Sequence, residues 1–532
     1  MSKQVRTLLI VGIVVLVLGG LLTTLLLLPS SGSGETSSAA TSSDPSISLI
    51  SKSTDSSGSS VAQPVKKAVF KLGDVEEVKD KDGNVTTEAK KGEEFTVILN
   101  EEGVPVVESY ADLPINTSTL RSLTSGLASI SAKEKVEGVD AEMADYGFDK
   151  PLASVTVTYH DDSEYSFEIG GRTPLKTGYY YREAGTETVY VVNDSFCDTV
   201  MQDSLTYVGT SLYVSPTVEE DDEDGKAILR DLKLSGSVRP SSFAFRATTT
   251  EDPKELRYSD YVLTSPYLRN TNANAITELI SNMTALSATK AVVARPTDEQ
   301  LEEYGLKNPY SVADLNLAVK SVEKSEESES SDSEEEKPTR YYNVQHHVVT
   351  LGNKDADGNY YCMIDDVPVI YLVSASSVAW AETQYDDVAN VMLFMRDITS
   401  ISTISVKVNG KETLFKLEHF PDAETTDEKL TVTVDGQTYS TKQFRTFYTI
   451  LMSLRRTGEA KVEPTGDPYL EIQLTTNDEE PQTITAKLYK ATSSTYTCQL
   501  DTGETYKVNA TEVENVEKQM AKYLAGEELD HN

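Results

Sequence analysis

One pattern occurs three times along the chain, and it restricts the fold more than any other feature. Tyr180 and Tyr190 are ten residues apart, as are Tyr361 and Tyr371, and Tyr496 and Tyr506. Two residues after the second Tyr comes Val192, Val373 or Val508, and then a helix N-cap candidate, Asn193, Ser374 or Asn509. In the last copy Glu512 stands three residues after Asn509, as in a capping box, ahead of Val513, Val516, Met520 and Tyr523 at helical spacing. Upstream of each Tyr pair a Pro opens an alternating run: Val155, Val157 and Tyr159 after Pro151; Leu315, Leu317 and Val319 after Pro309; Leu470, Ile472 and Leu474 after Pro468. A period of two marks a strand with one buried face. Further upstream lie three helical stripes: Leu120, Leu123, Leu127, Ile130; Ile276, Leu279, Ile280, Met283, Leu286; and Phe444, Phe447, Leu451, Leu454. A chain that repeats such an order at this scale folds as an array of similar units.

Each unit reads as strands, a helix, a run of antiparallel strands and a closing helix. Asp82-Gly83, Asp357-Gly358 and Asp435-Gly436 suit its hairpin turns. The expected fold class is α+β, with tandem mainly antiparallel β-sheet units and packing helices after one N-terminal transmembrane helix. The units are expected at residues 67–218, 225–397 and 398–526. The acidic insert at 320–340 explains why the second Pro-to-Tyr spacing is longer than the other two. That insert and the acid run Glu219–Asp224 read as solvated loops.

The N-terminus is expected to set the compartment. Residues 1–6, with Lys3 and Arg6, form a cytoplasmic tip, and 7–28 are uncharged and apolar. A helix of that length covers roughly 33 Å, enough to span a bilayer. The basic flank keeps this end inside, so the bulk of the chain is expected to be extracytoplasmic, on a single-pass protein of the cell membrane. A cleaved signal peptide is the rival reading, against which stands the length of the apolar run. No Cys follows the run, which excludes a lipoprotein anchor. Residues 29–66 read as a flexible tether, because fifteen of the 34 residues from 30 to 63 are Ser. The net charge of −37 argues against a nucleic-acid partner.

Two of the three copies share a longer order. Tyr146-Gly147-x-x-x-Pro151 leads to Ile169-Gly170 and Gly178-Tyr179-Tyr180, and Tyr304-Gly305-x-x-x-Pro309 leads to Leu351-Gly352 and Gly358-Asn359-Tyr360-Tyr361. Over roughly residues 67–397 this resembles the bacterial family called domain of unknown function 4340 (DUF4340). The third copy keeps the Pro and the Tyr pair but lacks the Tyr-Gly. The resemblance implies a membrane-anchored, extracytoplasmic protein associated with ABC transporter components of the gliding-motility type. It implies no catalytic residues. The residues themselves read as scaffold, with the glycines permitting tight turns and the prolines standing at strand starts.

A search for chemistry assigns no catalytic, metal or cofactor residue. His346-His347 would face opposite sides of a strand, and His347 takes the place of Tyr165 in the first copy. Cys197, Cys362 and Cys498 read as inert buried thiols, the last two expected on different strand faces because they follow their Tyr by one and two residues. Asn353-x-Asp355-x-Asp357-Gly358 imitates an EF-hand start, but Ile364 stands where a Glu is needed, so a hairpin turn is the better reading. Gly171–Thr177 lacks the second Gly of a P-loop. The expectation is a non-enzymatic, membrane-held protein, accessory to an ABC transport system. A surface adhesion module for glycan or peptide is the alternative, and an extracytoplasmic hydrolase ranks third.

Overall fold

The computed structural model describes residues 46–52, 57, 59, 63–79, 85–87, 89–137, 142–322, 339–460 and 463–530. The apolar run 7–28, the Asp82-Gly83 turn and most of the acidic insert lie outside the described residues. Among the described residues no helix is long and apolar enough to cross a membrane.

The first unit runs β1 (Ile47–Ser51), β2 (Val65–Leu72), β3 (Val78–Lys79), β4 (Val85–Thr87), β5 (Glu94–Leu99), β6 (Pro105–Val107), α1 (Thr117–Ala128), β7 (Ser129–Lys135), β8 (Ala153–Tyr159), β9 (Glu164–Arg172), β10 (Tyr179–Glu183), β11 (Tyr190–Val192) and α2 (Asp194–Val200). The second runs β12 (Ser211–Tyr213), β13 (Lys226–Ser235), β14 (Phe243–Ala247), β15 (Tyr261–Ser265), β16 (Arg269–Asn270), α3 (Ala273–Ile280), β17 (Leu286–Ser287), β18 (Lys290–Ala294), α4 (Asp298–Glu303), β19 (Ser311–Val322), β20 (Thr339–Lys354), β21 (Tyr360–Ile364), β22 (Val369–Val373), a 3-10 helix (Ala375–Glu382) and α5 (Tyr385–Val388). The third runs β23 (Ile401–Val408), β24 (Lys411–His419), β25 (Leu430–Val434), β26 (Gln437–Tyr439), α6 (Thr441–Met452), β27 (Arg456–Glu459), β28 (Leu470–Thr476), β29 (Thr483–Lys490), β30 (Thr495–Leu500), β31 (Thr505–Asn509) and α7 (Ala510–Ala525).

Each unit builds one nine-stranded sheet, and every pairing is antiparallel. The orders are β6-β5-β2-β8-β9-β10-β11-β7-β1, β16-β15-β14-β13-β19-β20-β21-β22-β18 and β26-β25-β24-β23-β28-β29-β30-β31-β27. They coincide over eight positions. A first meander leads into a helix, the helix into a strand at the far edge, and a second four-stranded meander then fills the space between. The alternating runs lie on β8, β19 and β28, with the expected apolar positions buried. Helices cover that face of each sheet, and each unit has its own apolar cluster. The other face carries half-buried polar residues such as Thr156 and Thr158, as expected of an antiparallel sheet covered on one side.

Several local expectations are corrected. The first and third stripes are buried and the second is buried except for the half-buried Leu279 and Ile280, but each outruns its helix: Ile130 lies on β7, Leu286 on β17, and Leu454 just past α6. The phase of a helix carries on into the first inward residue beyond it, so the stripe alone could not mark the boundary. The second closing helix is a 3-10 segment, capped by Ser374 and broken by non-helical geometry at Val378. Asn509 makes no side-chain cap, and Glu512 accepts from the main-chain N–H of Arg455 at 2.9 Å instead of closing a capping box. Part of the expected tether belongs to the sheet, because Ile47–Ser51 pairs with β7. The acid run at 219–224 is mostly exposed but tied to the long β19–β20 hairpin, through Arg340–Glu219 at 3.5 Å and Tyr342–Asp222 at 2.9 Å.

The Tyr register is also corrected. Tyr179 pairs with Val192, Tyr360 with Val373 and Tyr496 with Val508. The third Tyr therefore corresponds to Tyr179 and Tyr360, not to Tyr180 and Tyr361. The equal spacing of ten hides a β30–β31 connection one residue shorter. Cys362 and Cys498 then fall on the same sheet position, opposite Tyr371 and Tyr506, and both are fully buried.

Candidate functional site

The residues of the Tyr-Gly pattern form a clasp. Gly147 has φ +81° and Gly305 φ +74°, values open to Gly at no steric cost. The turn lets the chain lie against the end of β9 or β20. A Cβ on Gly170 would meet the carbonyl oxygen of Tyr146 at 2.2 Å, and one on Gly352 that of Tyr304 at 2.1 Å. The Tyr ring then closes on the second meander: Tyr146 meets Tyr180 edge-on at 4.9 Å, and Tyr304 meets Tyr361 at 4.4 Å. Tyr146, Gly147, Gly170 and Tyr180 thus close one contact in the first unit, and Tyr304, Gly305, Gly352 and Tyr361 the same contact in the second.

Beside the clasp, each unit ties its second meander to its closing segment through a Tyr hydroxyl and a carboxylate. Tyr179 donates to Asp198 at 2.8 Å, Tyr360 to Glu382 at 3.1 Å, and Tyr469 to Glu517. Burial pushes the Tyr179 hydroxyl up to about 12. Lys354, 2.9 Å from Glu382, holds that carboxyl below its ordinary value. In the third unit, which has no Tyr-Gly, Tyr469 packs on Tyr496 at 5.3 Å as Tyr310 does on Tyr360 at 5.7 Å. The carboxylates of these ties lie 19 to 48 residues from their tyrosines, and no sequence spacing flags them.

The histidines are held in the sheet. His346 meets Asp314 at 2.8 Å in an exposed pair, and His347 meets Asp365 at 3.0 Å while stacking on Tyr213 at 4.7 Å. His347 pairs with Leu315 as Tyr165 does with Val157, so the positional match read from sequence holds. The EF-hand-like segment is a hairpin turn in which Asp355 accepts from the N–H of Asp357 at 3.0 Å and of Asn359 at 2.8 Å, with Gly358 at φ +86°. Gly171 and Arg172 end β9 and Thr173–Thr177 belong to the β9–β10 turn, closed by Thr173 N–H to Gly178 O at 2.9 Å. Among the described residues no three His, Cys, Asp or Glu side chains converge as a metal site. Burial pushes the thiols of Cys197 and Cys498 up to about 12 and that of Cys362 further, which leaves them un-ionised.

The densest buried charge lies where the second and third units meet. Arg269 and Glu504 pair at 3.0 Å with side chains 8% and 3% exposed. Arg269 stacks on one side of Tyr506 at 4.9 Å, and Arg456 is 5.1 Å from the same ring and 5.4 Å from Tyr385. Arg456 also pairs with Asp386, and both arginines donate to the Asn390 carbonyl at 3.2 Å. A cavity of about 150 Å³ opens beside the pair, lined by Met392, Phe394, Leu500 and the Arg396–Glu255 pair among others. Nearby Arg239 uses all five N–H donors on the carbonyls of Ser235, Trp380, Ala381 and Thr383 and the hydroxyl of Ser311, at 2.7 to 2.9 Å. Burial lowers its pKa to about 10. A cation at the carbonyl end of the 3-10 helix is favourable there. These groups have partners supplied by the fold itself, and the cluster joins two units.

The family model of DUF4340, described as a domain of unknown function, matches residues 106–223 and 262–468, more than half of the chain. The chain belongs to this family. No curated protein and no solved structure matches it. The DUF4340 match includes both Tyr-Gly clasps. Its extent differs from the expected 67–397: it starts later, at 106, and reaches into the third unit as far as Pro468. Of the junction cluster, Arg269, Tyr385, Asp386 and Arg456 fall inside the DUF4340 segment and Glu504 and Tyr506 outside it.

Proposed function

We propose that this DUF4340 protein is a non-catalytic extracytoplasmic protein, held at the cell membrane through residues 7–28 and serving as an accessory subunit of an ABC transport system. The observation that carries the non-catalytic reading is the saturation of the buried charges. Arg239 is engaged by main-chain carbonyls and the Ser311 hydroxyl within the second unit, whereas Arg269 and Glu504 pair with each other and Arg456 with Asp386 across the second and third units, so the charges beside the small cavity are already neutralised by the fold. The apolar run behind Lys3 and Arg6 and the resemblance to membrane-anchored, transporter-associated proteins support the remainder. The adhesion alternative needs repeated surface aromatics. The tyrosines of the pattern go instead into clasps and cores, and among the described residues the exposed aromatics are Tyr258 and Phe420, which no other unit repeats. The test is co-purification of the tagged full chain from native membranes in mild detergent. Recovery with a permease is the expected result, and recovery of the chain alone refutes the accessory role.

A further inference from the structure

Each unit leaves one strand position beside its far-edge strand to be filled by chain that precedes the unit. In the second unit β12 pairs with β17, Tyr213 opposite Leu286. In the third, Val391–Leu393 runs beside Leu454–Arg456, with Leu393 N–H to Leu454 O at 2.9 Å and Arg456 N–H to Val391 O at 2.8 Å. In the first, β1 pairs with β7, Ile50 opposite Ile130. Tyr213, Leu393 and Ile50 each meet the last residue of a helical stripe, and each packs into the apolar cluster of the unit it enters. By the sequence bounds 67–218 and 225–397, Ser211–Tyr213 and Val391–Leu393 each come from the tail of the unit before the one whose strand they accompany. For the first unit the segment is a five-residue strand, exposed or half-buried throughout, from the Ser-rich segment.

We infer that the outer edge of β7 is a strand-acceptor site, filled in the resting chain by Ile47–Ser51 and open to an extended segment of a partner polypeptide that displaces it. Main-chain pairing supplies affinity in such additions, and side-chain positions supply selectivity. The same position accepts Ile, Tyr and Leu in the three units, so the first requirement is one large apolar side chain. The second belongs to the first unit alone. Lys52, two residues after Ile50, pairs with Asp161, bonds Ser163 at 2.8 Å and lies 5.4 Å from the Tyr159 ring. Ser215 and Met395 stand two residues after Tyr213 and Leu393. The fitting partner segment is therefore an extended strand carrying an apolar residue, one intervening residue and a Lys.

The test uses the full chain, its Ile50→Asp variant and a fluorescent peptide of residues 46–53 added in trans. The variant is expected to bind the peptide at least tenfold more tightly than the parent, whose own strand competes, and to bind the Lys52→Glu peptide at least tenfold more weakly. Protection of the β8 and β9 amides from hydrogen exchange reports that the variant is folded, and Lys52→Ala is the milder replacement if it is not. A folded variant that binds neither peptide, binds both alike, or binds no better than the parent overturns the inference. Peptide-sensitive dimers of the parent would support the acceptor edge with a second copy as its occupant.

Discussion

Glu504→Ala is the most discriminating perturbation of the junction between the second and third units. The substitution leaves the Arg269 guanidinium 8% exposed, with the Asn390 carbonyl at 3.2 Å and the Tyr506 ring as its remaining partners. Removing one member of a buried pair costs about 3–5 kcal/mol, mostly as the penalty of an uncompensated charge. At about 2–4 °C per kcal/mol for a unit of this size, the transition that contains the junction should fall by roughly 6–20 °C in calorimetry of the full chain. The companion is Arg269→Met/Glu504→Met, which removes both charges and keeps apolar volume. It should recover most of the loss, because a buried pair has little net worth over an apolar replacement. Two results would refute the reasoning. One is a single variant that shifts the transition by less than about 2 °C, which would mean that water reaches the pair. The other is a double variant as damaged as the sum of both singles, which would mean that each charge acts separately.

Three further predictions use other parts of the fold. Gly147→Ala and Gly305→Ala should each cost about 1–2 kcal/mol from the left-handed backbone, and more from contact. The added Cβ would meet Gly171 N at 2.6 Å or Asn353 Oδ1 at 2.5 Å, whereas Gly103→Ala, at φ +74° with nothing within 4 Å, should lose only the backbone part; equal urea midpoints for all three would dismiss the clasp. Arg246, in a two-pronged bond, holds the Asp252 carboxyl down to about 2. Its folded pKa lies below the unfolded value of about 3.9, so the stability it adds is present above that value and is lost as pH falls through about 2. The urea-midpoint gap between the parent and Asp252→Asn should be widest near pH 6 and should shrink below about pH 4, and a constant gap contradicts the assignment. The three thiols should resist a thiol-reactive dye in the native chain at neutral pH and all react in denaturant, and rapid native labelling of any one would contradict its burial.

What could be read from sequence was what repeats at short range. The alternation on β8, β19 and β28 and the stripes on α1, α3 and α6 arise from one side chain meeting one buried face, so period and spacing reveal them. The far-edge strands β7 and β27 were missed because each follows closely on its helix with the apolar stripe running through the boundary, and β18 because the stripe before it ends on the short β17. The Ile47–Ser51 strand was hidden by composition: Ser dominates the segment, and three apolar residues suffice to seat an edge strand. The Tyr spacing misled because a hairpin shortened by one residue shifted the partner without changing the count. Arg269 and Glu504 are 235 residues apart, and the partnership follows from how two sheets meet, which no local period encodes.

The shared junction geometry alters what counts as a unit. By sequence the third unit begins at about residue 398, and by strand pairing its first sheet strand begins at Ile401. Yet Leu393 and Phe394 are 6% and 3% exposed within its apolar cluster, and Val391–Leu393 supplies the strand beside Leu454–Arg456. At about 1.5–3 kcal/mol for each large apolar side chain, those two residues contribute on the order of 3–6 kcal/mol to a fold whose whole margin is about 5–15 kcal/mol. The same holds for Val208 and Tyr213 in the second unit's cluster, where Tyr213 also donates to the Met283 carbonyl at 3.2 Å. Each unit is thus completed by the one before it, and a cut at the sequence boundary removes part of the next core. The first unit obeys the same rule with a weaker occupant, since Leu49 and Ile50 are only partly buried. Of the three equivalent positions, the one that faces the Ser-rich segment is therefore the one whose occupant costs least to remove.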